Sequence, residues 1–465
     1  MVGKDKDAKV KLDGIKKLLN SQAMNRESLT VGAVPGIGCG EILPEMDGRE
    51  VTVGGWAQEV RNLGGVAFAI LRDGTGEVQA TFQKEIGKPF KKIGKLNRES
   101  VVVVRGTVKR TDQSARGVEV LVSELSVYSK AQTPLPMGVV DRVNIELDTR
   151  LDNRFIDLRR PEIQGIFRIR STFLSATREY LESMDFTEVH SPKIVAAATE
   201  GGTDLFPMKY FDREAYLNQS PQLYKQILMA TGLDRVYEIG AAFRAEPHDT
   251  TRHLNEFTSI DIEMCYADHH RVMDLLEGIT KHATARIGER NRRELDLLGI
   301  ELPDAGYDFP RLTYSRVLEL LDEAGAGIEW GEDIGMEEIR NLVSSDTRFA
   351  GYYYIIDWPT EAKPFYAMPD PDRPEISRTF DLMFAEKEIT SGAQRVHDHN
   401  LLLEQLKARR LKPTDFEFYV NAFRYGMPPH AGWGLGAERM VMILTGGHNI
   451  RECVLFPRDR QRLVP

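Results

Sequence analysis

The sequence has few cysteines. Cys39, Cys265 and Cys453 are the three among 465 residues, and none is close enough to another to form a metal-ligand pair. Long apolar runs are also absent, since none approaches the ~20 residues that span a bilayer. The N-terminal segment MVGKDKDAKVKLDG is too polar for a secretory signal. These absences argue against a disulfide scaffold and a membrane protein, and we expect about two to three domains in a reducing cytoplasm.

Negative charge exceeds positive charge overall, with a net charge of −9, but the charges are unevenly distributed along the chain. Residues 1–45 carry 7 Lys and Arg against 6 Asp and Glu, and residues 46–132 carry 14 against 10. The remainder carries 40 against 54. A basic end on an acidic protein indicates contact with a polyanion such as nucleic acid. Chance segregation of charges on solvated surfaces is the alternative.

Residues 46–132 contain five short β-rich runs separated by turn residues, from REVTVGGWAQEV to VEVLVSELSVYSK. This pattern predicts a small closed barrel, and the OB-fold is the commonest such barrel that binds nucleic acid. The preceding extension, 1–45, begins with a lysine-rich, helix-like run that is either a weak RNA contact or a frayed tail. A hinge at 133–160, stiffened by the proline-rich TPLP, follows the barrel.

The larger remainder, 161–465, predicts an α+β domain. Apolar residues recur at helical spacing from Ile163 to Leu181, and a strand broken at Pro192 follows. Strands and helices mix without a regular βαβ alternation, which favours an antiparallel sheet. Residues of about 270–365 are typical of a helix-rich insertion that ends in the strand GYYYIID.

Two arginine motifs, FRAEPHDTTRHLNEF at 243–257 and GLGAER at 434–439, each place an arginine beside a carboxylate. Arg244 and Arg439 together are suited to grip the two ends of a triphosphate. Phosphoryl and nucleotidyl transfer needs this layout, because it depends on positioning and cancelling charge. For the first segment alone, a surface hairpin with incidental ion pairs is the alternative.

The first motif predicts a strand, a polar loop and a second strand. Arg244 and Glu246 alternate along one face of the first strand. Arg252 and His253 belong to the loop, which can fold over phosphates. Phe257 begins the returning strand, where its ring is available to stack on a purine.

The second motif follows glycines, of which Gly436 is the last before Arg439. A dinucleotide fingerprint would need a βαβ unit with an acidic residue ~20 positions later, and the sequence offers neither. A glycine-rich strand that approaches ATP, followed by a helix that presents Arg439, is the better interpretation.

The segment TFDLMFAEKEITSGAQR at 379–395 places two carboxylates, Asp381 and Glu388, on flanking predicted strands. They are natural Mg²⁺ ligands beside a triphosphate, since Mg²⁺ prefers a few carboxylates with phosphate oxygens and water. Arg395 follows a predicted glycine bend in SGAQR and is predicted to be free to pair with a small anion.

The segment QSPQLYKQ predicts the start of a helix that presents Gln222 and Lys225. Lys225 and Arg395 can hold a side-chain carboxylate between them, and bidentate arginine contacts would fix its orientation. Each of these residues taken singly is more often a surface charge than a ligand. The prediction of a binding site therefore depends on the whole set.

With these motifs the sequence resembles the class II aminoacyl-tRNA synthetases, specifically the aspartyl-tRNA synthetases of the archaeal/eukaryotic type. The resemblance covers nearly everything after residue 45. The two arginine motifs are similar to the second and third class motifs. The segment that ends at Pro192 is similar to the first, which forms the dimer interface in the family. QSPQLYKQ, ATEGGTDLF, SGAQR and LFPRDRQRL carry the subgroup resemblance.

The resemblance implies an OB-fold anticodon-binding domain, a class II antiparallel-sheet catalytic domain and a homodimer. It also implies a role for each matching residue. ATP would be bound by Arg244, Glu246, Arg252, His253, Phe257, Glu388, Gly436 and Arg439. Aspartate would be bound by Glu200, Gln222, Lys225, Ser391 and Arg395. The Mg²⁺ ligands would be Asp381, Glu388 and Ser391, and the tRNA anticodon would be read by Gln58, Phe68, Gln79 and Glu119.

The implied reaction has two steps. The aspartate carboxylate attacks the ATP α-phosphorus in line, and Arg244 and Mg²⁺ stabilise the transition state as pyrophosphate leaves. The terminal adenosine of tRNA-Asp then attacks the aspartyl-adenylate. In the archaeal type, enzymes strict for tRNA-Asp carry Trp near Gln58 and Lys near Ala115. Neither is present, which favours charging of tRNA-Asn as well but leaves the question open.

Asparaginyl-tRNA synthetase is the closest alternative, because it shares the barrel and both arginine motifs. Lys225 favours aspartate, since a site with buried cations for a carboxylate rejects a neutral amide. A lysyl enzyme would need a negative pocket. A non-catalytic RNA-binding protein would lack the arginines and carboxylates, and an amide-forming relative would lack the barrel.

Overall fold

The computed structural model describes residues 34–140, 144–196, 205–247 and 250–464. The lysine-rich helix predicted near the N-terminus and Glu200 lie outside the described residues. The chain divides into two compact units, with the boundary between Glu146 and Leu147. No helix in the described ranges is long and apolar enough to cross a membrane.

The first unit contains the five predicted strands. They are β1 (Glu50–Asn62), β2 (Val66–Arg72), β3 (Glu77–Gln83), β4 (Ser100–Arg110) and β5 (Val118–Ser129), with helix α1 (Lys88–Ile93) between β3 and β4 in the chain. They close into a barrel in the order β1-β2-β3-β5-β4, in which β3 and β5 are the parallel pair. Alternate small or branched residues fill the interior, among them Val53, Ala69, Ala80, Val104 and Val120. The predicted barrel is confirmed.

The second unit is built on a large sheet. Its strands are β6 (Thr187–Glu188), β10 (Arg235–Phe243), β11 (Glu256–Cys265), β12 (Arg311–Thr313), β13 (Tyr352–Ile356), β14 (Thr379–Phe384), β15 (Lys387–Gln394) and β16 (His430–Gly436). Their order is β12-β13-β14-β15-β16-β11-β10-β6, antiparallel from β13 to β10 with a parallel strand at each edge. Strands β7 (Ile194–Val195), β8 (Pro207–Tyr210) and β9 (Arg213–Leu217) form a separate small sheet. The predicted antiparallel α+β architecture is confirmed.

The α-helices of the second unit surround this sheet. They are α2 (Leu147–Asp152), α3 (Arg154–Asp157), α4 (Pro161–Ser183), α5 (Gln222–Leu228), α6 (His269–Arg290), α7 (Arg292–Leu298), α8 (Tyr314–Glu323), α9 (Met336–Ser345), α10 (His399–Ala408), α11 (Glu417–Arg424) and α12 (Ala437–Leu444). Helix α4 begins at a proline, whose fixed φ suits a first helical position. It buries Ile163, Ile166, Ile169 and Phe173 and ends before Met184, as the periodicity predicted.

The region predicted as an insertion, about 270–365, has two parts. Helix α6 places Val272, Leu276 and Ile279 in the same core as α4 and the large sheet. Helices α8 and α9 pack on β13 in a smaller core with members such as Val317 and Leu342. The tyrosine-rich strand is β13, which lies within the large sheet.

Candidate active site

A cavity of about 410 Å³ lies over the large sheet, where β15, β16 and β11 adjoin. It brings together the two arginine motifs and the SGAQR segment, which are far apart in the chain. Predicted residues that line it are Gln222, Arg244, Glu246, Arg252, His253, Phe257, Glu388, Ser391, Arg395, Gly436 and Arg439. An adjoining cavity of about 710 Å³ is lined by Asp381 and shares Glu388, Ser391 and Arg439 with the first.

The glycines before Arg439 make room for carboxylates on the neighbouring strand. In the register of β11 with β16, Asp261 pairs with Gly434 and Glu263 pairs with Gly432. A Cβ at Gly432 would lie 2.2 Å from Glu263 Oε2, and one at Gly434 would lie 3.0 Å from Asp261 Oδ1. The absence of side chains at Gly432 and Gly434 therefore makes room for two buried acids, of which Asp261 lines the cavity.

Lys225 is one of two buried cations that contact these acids, and it does not itself line the cavity. Helix α5 begins at Gln222, so Gln222 and Lys225 lie one turn apart on the same side of the helix, as predicted. Lys225 Nζ donates to Asp261 Oδ1 at 2.8 Å and to the carbonyl oxygen of Trp433 at 3.0 Å. It lies 3.7 Å from Glu263 Oε2.

Arg395 is the second buried cation, and two details of its prediction are wrong. It is not free, because its Nε donates to Glu263 Oε1 at 3.0 Å and its Nη2 contacts Glu263 Oε2 at 3.3 Å and Gln222 Oε1 at 3.4 Å. No glycine bend precedes it, since Ser391 and Gly392 continue β15. Burial opposes its charge, but Glu263 outweighs burial, so the pKa of Arg395 is raised.

The two cations and two acids form a neutral set. A charge inside a protein is stable only when it is paired, so Asp261 and Glu263 hold Lys225 and Arg395 ready without a ligand. An entering carboxylate would give the set a net negative charge and a second partner for each cation. A neutral amide would leave the charge of the set unchanged, whereas a carboxylate would have to displace Asp261 or Glu263 from the cations to form charged contacts with them.

Arg244 and Phe257 form the middle of the cavity. The Arg244 guanidinium lies 5.3 Å from the centre of the Phe257 ring, and its Nη1 is 4.0 Å from Glu246 Oε1. Within the described residues, Arg244 Nε is a buried donor without a hydrogen-bond partner. His253 Nε2 is 3.6 Å from Glu246 Oε2, so His253 and Arg244 face the same carboxylate.

Arg439 and Arg252 form the opposite, basic end. Arg439 is in the first turn of α12, and its Nη1 donates to the Glu388 carbonyl oxygen at 3.1 Å. Arg252 lies 3.8 Å from Glu386 and contacts the sulfur of Met336. Both guanidinium groups line the two cavities, and both are partly exposed.

Asp381 and Glu388 face each other diagonally across β14 and β15. Asp381 is buried, and within the described residues its Oδ1 has no hydrogen-bond partner. Enclosure and the negative charge of Asp381 raise the pKa of Glu388. Half of the Glu388 side chain remains exposed, which limits the effect of enclosure on its pKa. The other cause is the charge of Asp381, and a bound cation would cancel its effect. No cluster of three or more His, Cys, Asp or Glu side chains suited to a metal occurs in the described ranges.

On the barrel, three predicted anticodon residues lie on adjacent strands. Phe68 pairs with Thr81 across β2 and β3, and Gln79 pairs with Glu119 across β3 and β5. Gln79 Nε2 donates to Glu119 Oε2 at 3.0 Å, and Thr81 Oγ1 donates to the same oxygen at 2.6 Å. Glu119 therefore fixes the amide of Gln79 so that its oxygen is left as the acceptor.

Gln58, the fourth predicted anticodon residue, lies at a bulge in β1. Its Oε1 accepts from Arg72 Nη1 at 2.9 Å, and its Nε2 donates to Glu77 at 3.2 Å. Arg72 also forms a buried ion pair with Glu99 at 2.9 Å. The charged side chains of Arg72 and Glu77 thus fix the orientation of the Gln58 amide.

Pro192 lies between β6 and β7, where its carbonyl oxygen accepts from Asn218 at 3.1 Å. Its predicted place in a dimer interface stays a prediction. Sequence reasoning did not find Asp261, Glu263, Thr81 or Lys363, although each contacts a predicted site residue. The alternation of FTSIDIEMC could have indicated inward acids on β11, but their partners depend on the register with β16.

Comparison with known proteins decides the family. Residues 146–460 match the model for tRNA synthetases class II (D, K and N), and residues 51–128 match that for the OB-fold nucleic acid binding domain. The chain belongs to the class II tRNA synthetases of the D, K and N group. It is therefore an aminoacyl-tRNA ligase that uses ATP, as the motifs implied.

Relatives within this synthetase family agree over nearly the whole chain. An aspartate–tRNA(Asp/Asn) ligase of Archaeoglobus fulgidus is 53% identical and covers 91% of this chain and 99% of its own. An aspartate–tRNA(Asp) ligase of Pyrococcus horikoshii is 51% identical and covers 91% and 98%. The crystal structure of asparaginyl-tRNA synthetase from Pyrococcus horikoshii with asparaginyl-adenylate has a TM-score of 0.87 at 33% identity, covering 94% and 100%.

Proposed function

We propose that this synthetase activates L-aspartate with ATP and transfers it to tRNA-Asp and to tRNA-Asn. The observation that carries the amino-acid specificity is the presence of two buried cations, Lys225 and Arg395, whose contacts with Asp261 and Glu263 a substrate carboxylate can replace in part. A carboxylate can contact both cations, whereas asparagine offers an uncharged amide. Sequence identity to aspartate ligases exceeds 50%, against 33% for the asparaginyl enzyme of similar fold.

The cavity residues support a specific placement of the substrates. The aspartate side chain would lie against Lys225 and Arg395. The adenine would lie on Phe257 after the Arg244 guanidinium turns from the ring towards the α-phosphate. There its Nε, which has no hydrogen-bond partner in the described part of the chain, would find an acceptor. The outer phosphates would lie at the basic end, against Arg439, Arg252 and His253. This order would put the α-phosphorus beside the α-carboxylate of aspartate for an in-line attack.

Asp381 and Glu388 fit a Mg²⁺ ion, with Ser391 beside them. Within the part of the chain that the structure describes, Asp381 Oδ1 is a buried acceptor without a hydrogen-bond partner, so it is available to a cation. The ion would supply bridging contacts to phosphate oxygens and neutralise charge. Because the protein offers two carboxylates rather than a larger cage, the phosphates would complete the ligand set.

The barrel supports anticodon recognition. Phe68 would stack on one base, and Gln79 would accept a hydrogen bond from a base edge, since Glu119 occupies its amide nitrogen. Gln58 would contact a neighbouring base. The absence of a tryptophan there favours relaxed tRNA choice, and relatives of both kinds, Asp/Asn and Asp, share about half of the sequence. A homodimer through the segment that ends at Pro192 and a cytoplasmic location complete the proposal.

Side-by-side aspartylation of purified tRNA-Asp and tRNA-Asn transcripts with ATP and Mg²⁺ tests the function. We expect charging of both. Charging of tRNA-Asp alone would restrict the proposal to a strict enzyme, and charging of neither would overturn it. Replacing aspartate by asparagine in the same assay should give no product, and efficient asparaginylation would contradict the assigned role of Lys225.

A further inference from the structure

Lys363 lies directly beside the proposed metal ligands and contacts one of them, Asp381, although the family resemblance assigns Lys363 no role. Its Nζ donates to Asp381 Oδ2 at 2.8 Å and lies 4.1 Å from the centre of the Trp358 ring. The side chain is 14% exposed and lines both cavities. One oxygen of Asp381 is therefore bound to an ammonium group, and the other has no hydrogen-bond partner among the described residues.

The backbone at Lys363 is held firmly. Arg409 Nη2 donates to the carbonyl oxygens of Thr360 and Lys363, both at 2.8 Å. The ammonium group can therefore leave Asp381 by side-chain rotation, without movement of the chain. The second cavity offers space for this rotation, and Asp333 lines it.

The charges explain why this contact matters. Asp381 and Glu388 face Lys363 and Arg439, so the neighbourhood is neutral without ligands. A divalent cation alone would have to enter beside two cations that already pair with these carboxylates. A complex of the cation with ATP brings its own negative charge, which can draw Lys363 and Arg439 away from the carboxylates.

We propose that Lys363 holds the metal position as a counter-ion and makes binding of the divalent cation depend on the nucleotide. This inference rests on the proposed Mg²⁺ site at Asp381 and Glu388. In the nucleotide-free enzyme the ammonium group neutralises Asp381. When the metal–ATP complex binds, the ammonium group moves off Asp381 Oδ2 and the metal replaces it.

Binding of Mn²⁺, measured by electron paramagnetic resonance on the full-length protein, tests this order. Nucleotide-free wild type should leave Mn²⁺ free at concentrations at which Mn²⁺ with ATP binds. Lys363→Met keeps the apolar stem over Trp358 but removes the charge. We expect it to bind Mn²⁺ without ATP at least about tenfold more tightly than wild type, because a cation a few ångströms from a ligand is removed.

Two variants serve as controls. Lys363→Arg keeps the charge and should behave as wild type. Lys387→Met removes a lysine that lines the same second cavity but pairs with Glu386 at 3.5 Å, and it should also behave as wild type.

Equal Mn²⁺ affinity of nucleotide-free wild type and Lys363→Met would overturn the inference. Tight Mn²⁺ binding by nucleotide-free wild type would overturn it as well, and this measurement does not depend on how well the variant folds. Failure of the metal site itself gives a different result. Binding of Mn²⁺ with ATP would then be the same in wild type and Asp381→Asn, which would count against the proposed function as well as the inference.

Discussion

In the barrel, the predicted base-reading groups include two uncharged amides and an aromatic ring beside Glu119, whereas in the large sheet the predicted aspartate-binding groups include two buried cations. Charged residues occur in both regions but face different ways. Glu119 and Arg72 stand behind Gln79 and Gln58 and orient their amides. Arg395 lines the cavity, and Lys225 lies behind it, bonded to the lining residue Asp261.

The difference follows from the ligands. A nucleobase is neutral, so it is recognised by directional donors and acceptors, and an amide serves only if its orientation is fixed. A carboxylate is recognised by charge, and buried cations need counter-ions before it arrives. Replacing one predicted base-reading residue in the barrel should therefore weaken tRNA binding only moderately. Replacing one buried cation in the sheet should nearly abolish aspartate activation.

The largest expected effect is on the sheet. Arg395→Ala should lower aspartate-dependent ATP–pyrophosphate exchange by about 10²–10⁴-fold, because loss of a buried charged contact to the substrate carboxylate costs about 3–5 kcal/mol. The exposed Arg271→Ala, at the start of α6, is the matched control. Exchange at the wild-type rate in a folded Arg395→Ala protein would remove Arg395 from the aspartate pocket.

The second prediction concerns pH. Burial lowers the pKa of His430 to about 4 from its ordinary 6.5, so the unfolded state binds the proton first as pH falls. The contribution of neutral His430 to the free energy of unfolding is fully present above about pH 6.5. It is lost as the pH falls towards 4, by up to about 3 kcal/mol.

Urea unfolding at pH 7.5, 6 and 5 measures this loss in wild type and His430→Gln. The variant should lose less stability on acidification, although His269, whose pKa burial also lowers to about 4, remains. Because residues 46–132 contain no histidine, a probe of barrel unfolding should not show this histidine-linked loss. Identical pH profiles of wild type and variant would contradict the assignment to His430.

Phe68→Ala should give a graded effect on the barrel side. Loss of one stacked base costs about 1–3 kcal/mol, so kcat/KM for tRNA should fall about 5- to 150-fold through KM. ATP–pyrophosphate exchange should be unchanged. Leu43→Ala, which removes a half-exposed apolar side chain from the same unit, is the control. An unchanged KM for tRNA would remove Phe68 from the anticodon site.

The smallest expected effect is that of Glu119→Gln. It weakens the hydrogen bonds that orient Gln79 and should raise the KM for tRNA about fivefold, equivalent to about 1 kcal/mol. In a double-mutant cycle with Gln79→Ala, the two effects should not add, because Glu119 acts through Gln79. Strict additivity would mean that Glu119 contacts the tRNA independently.

Local patterns in the sequence were sufficient for much of the architecture. The five barrel strands and helix α4 follow from periodicities of two and 3.6 residues, which depend on neighbours in the chain. The helix that presents Gln222 and Lys225 was also predicted. The motifs identified residues that the structure gathers in one cavity, since their chemistry is visible in short segments.

Contacts between distant strands could not be found in this way. The pairing of Glu263 with Arg395 joins residues 132 positions apart, and it exists because β16 places glycines opposite the acids of β11. The contact of Lys363 with Asp381 likewise depends on a loop held by Arg409. A one-residue change of register would turn each of these strand side chains to the other face of the sheet. The sequence therefore showed which residue types are present, but the folded sheet decided which of them are partners.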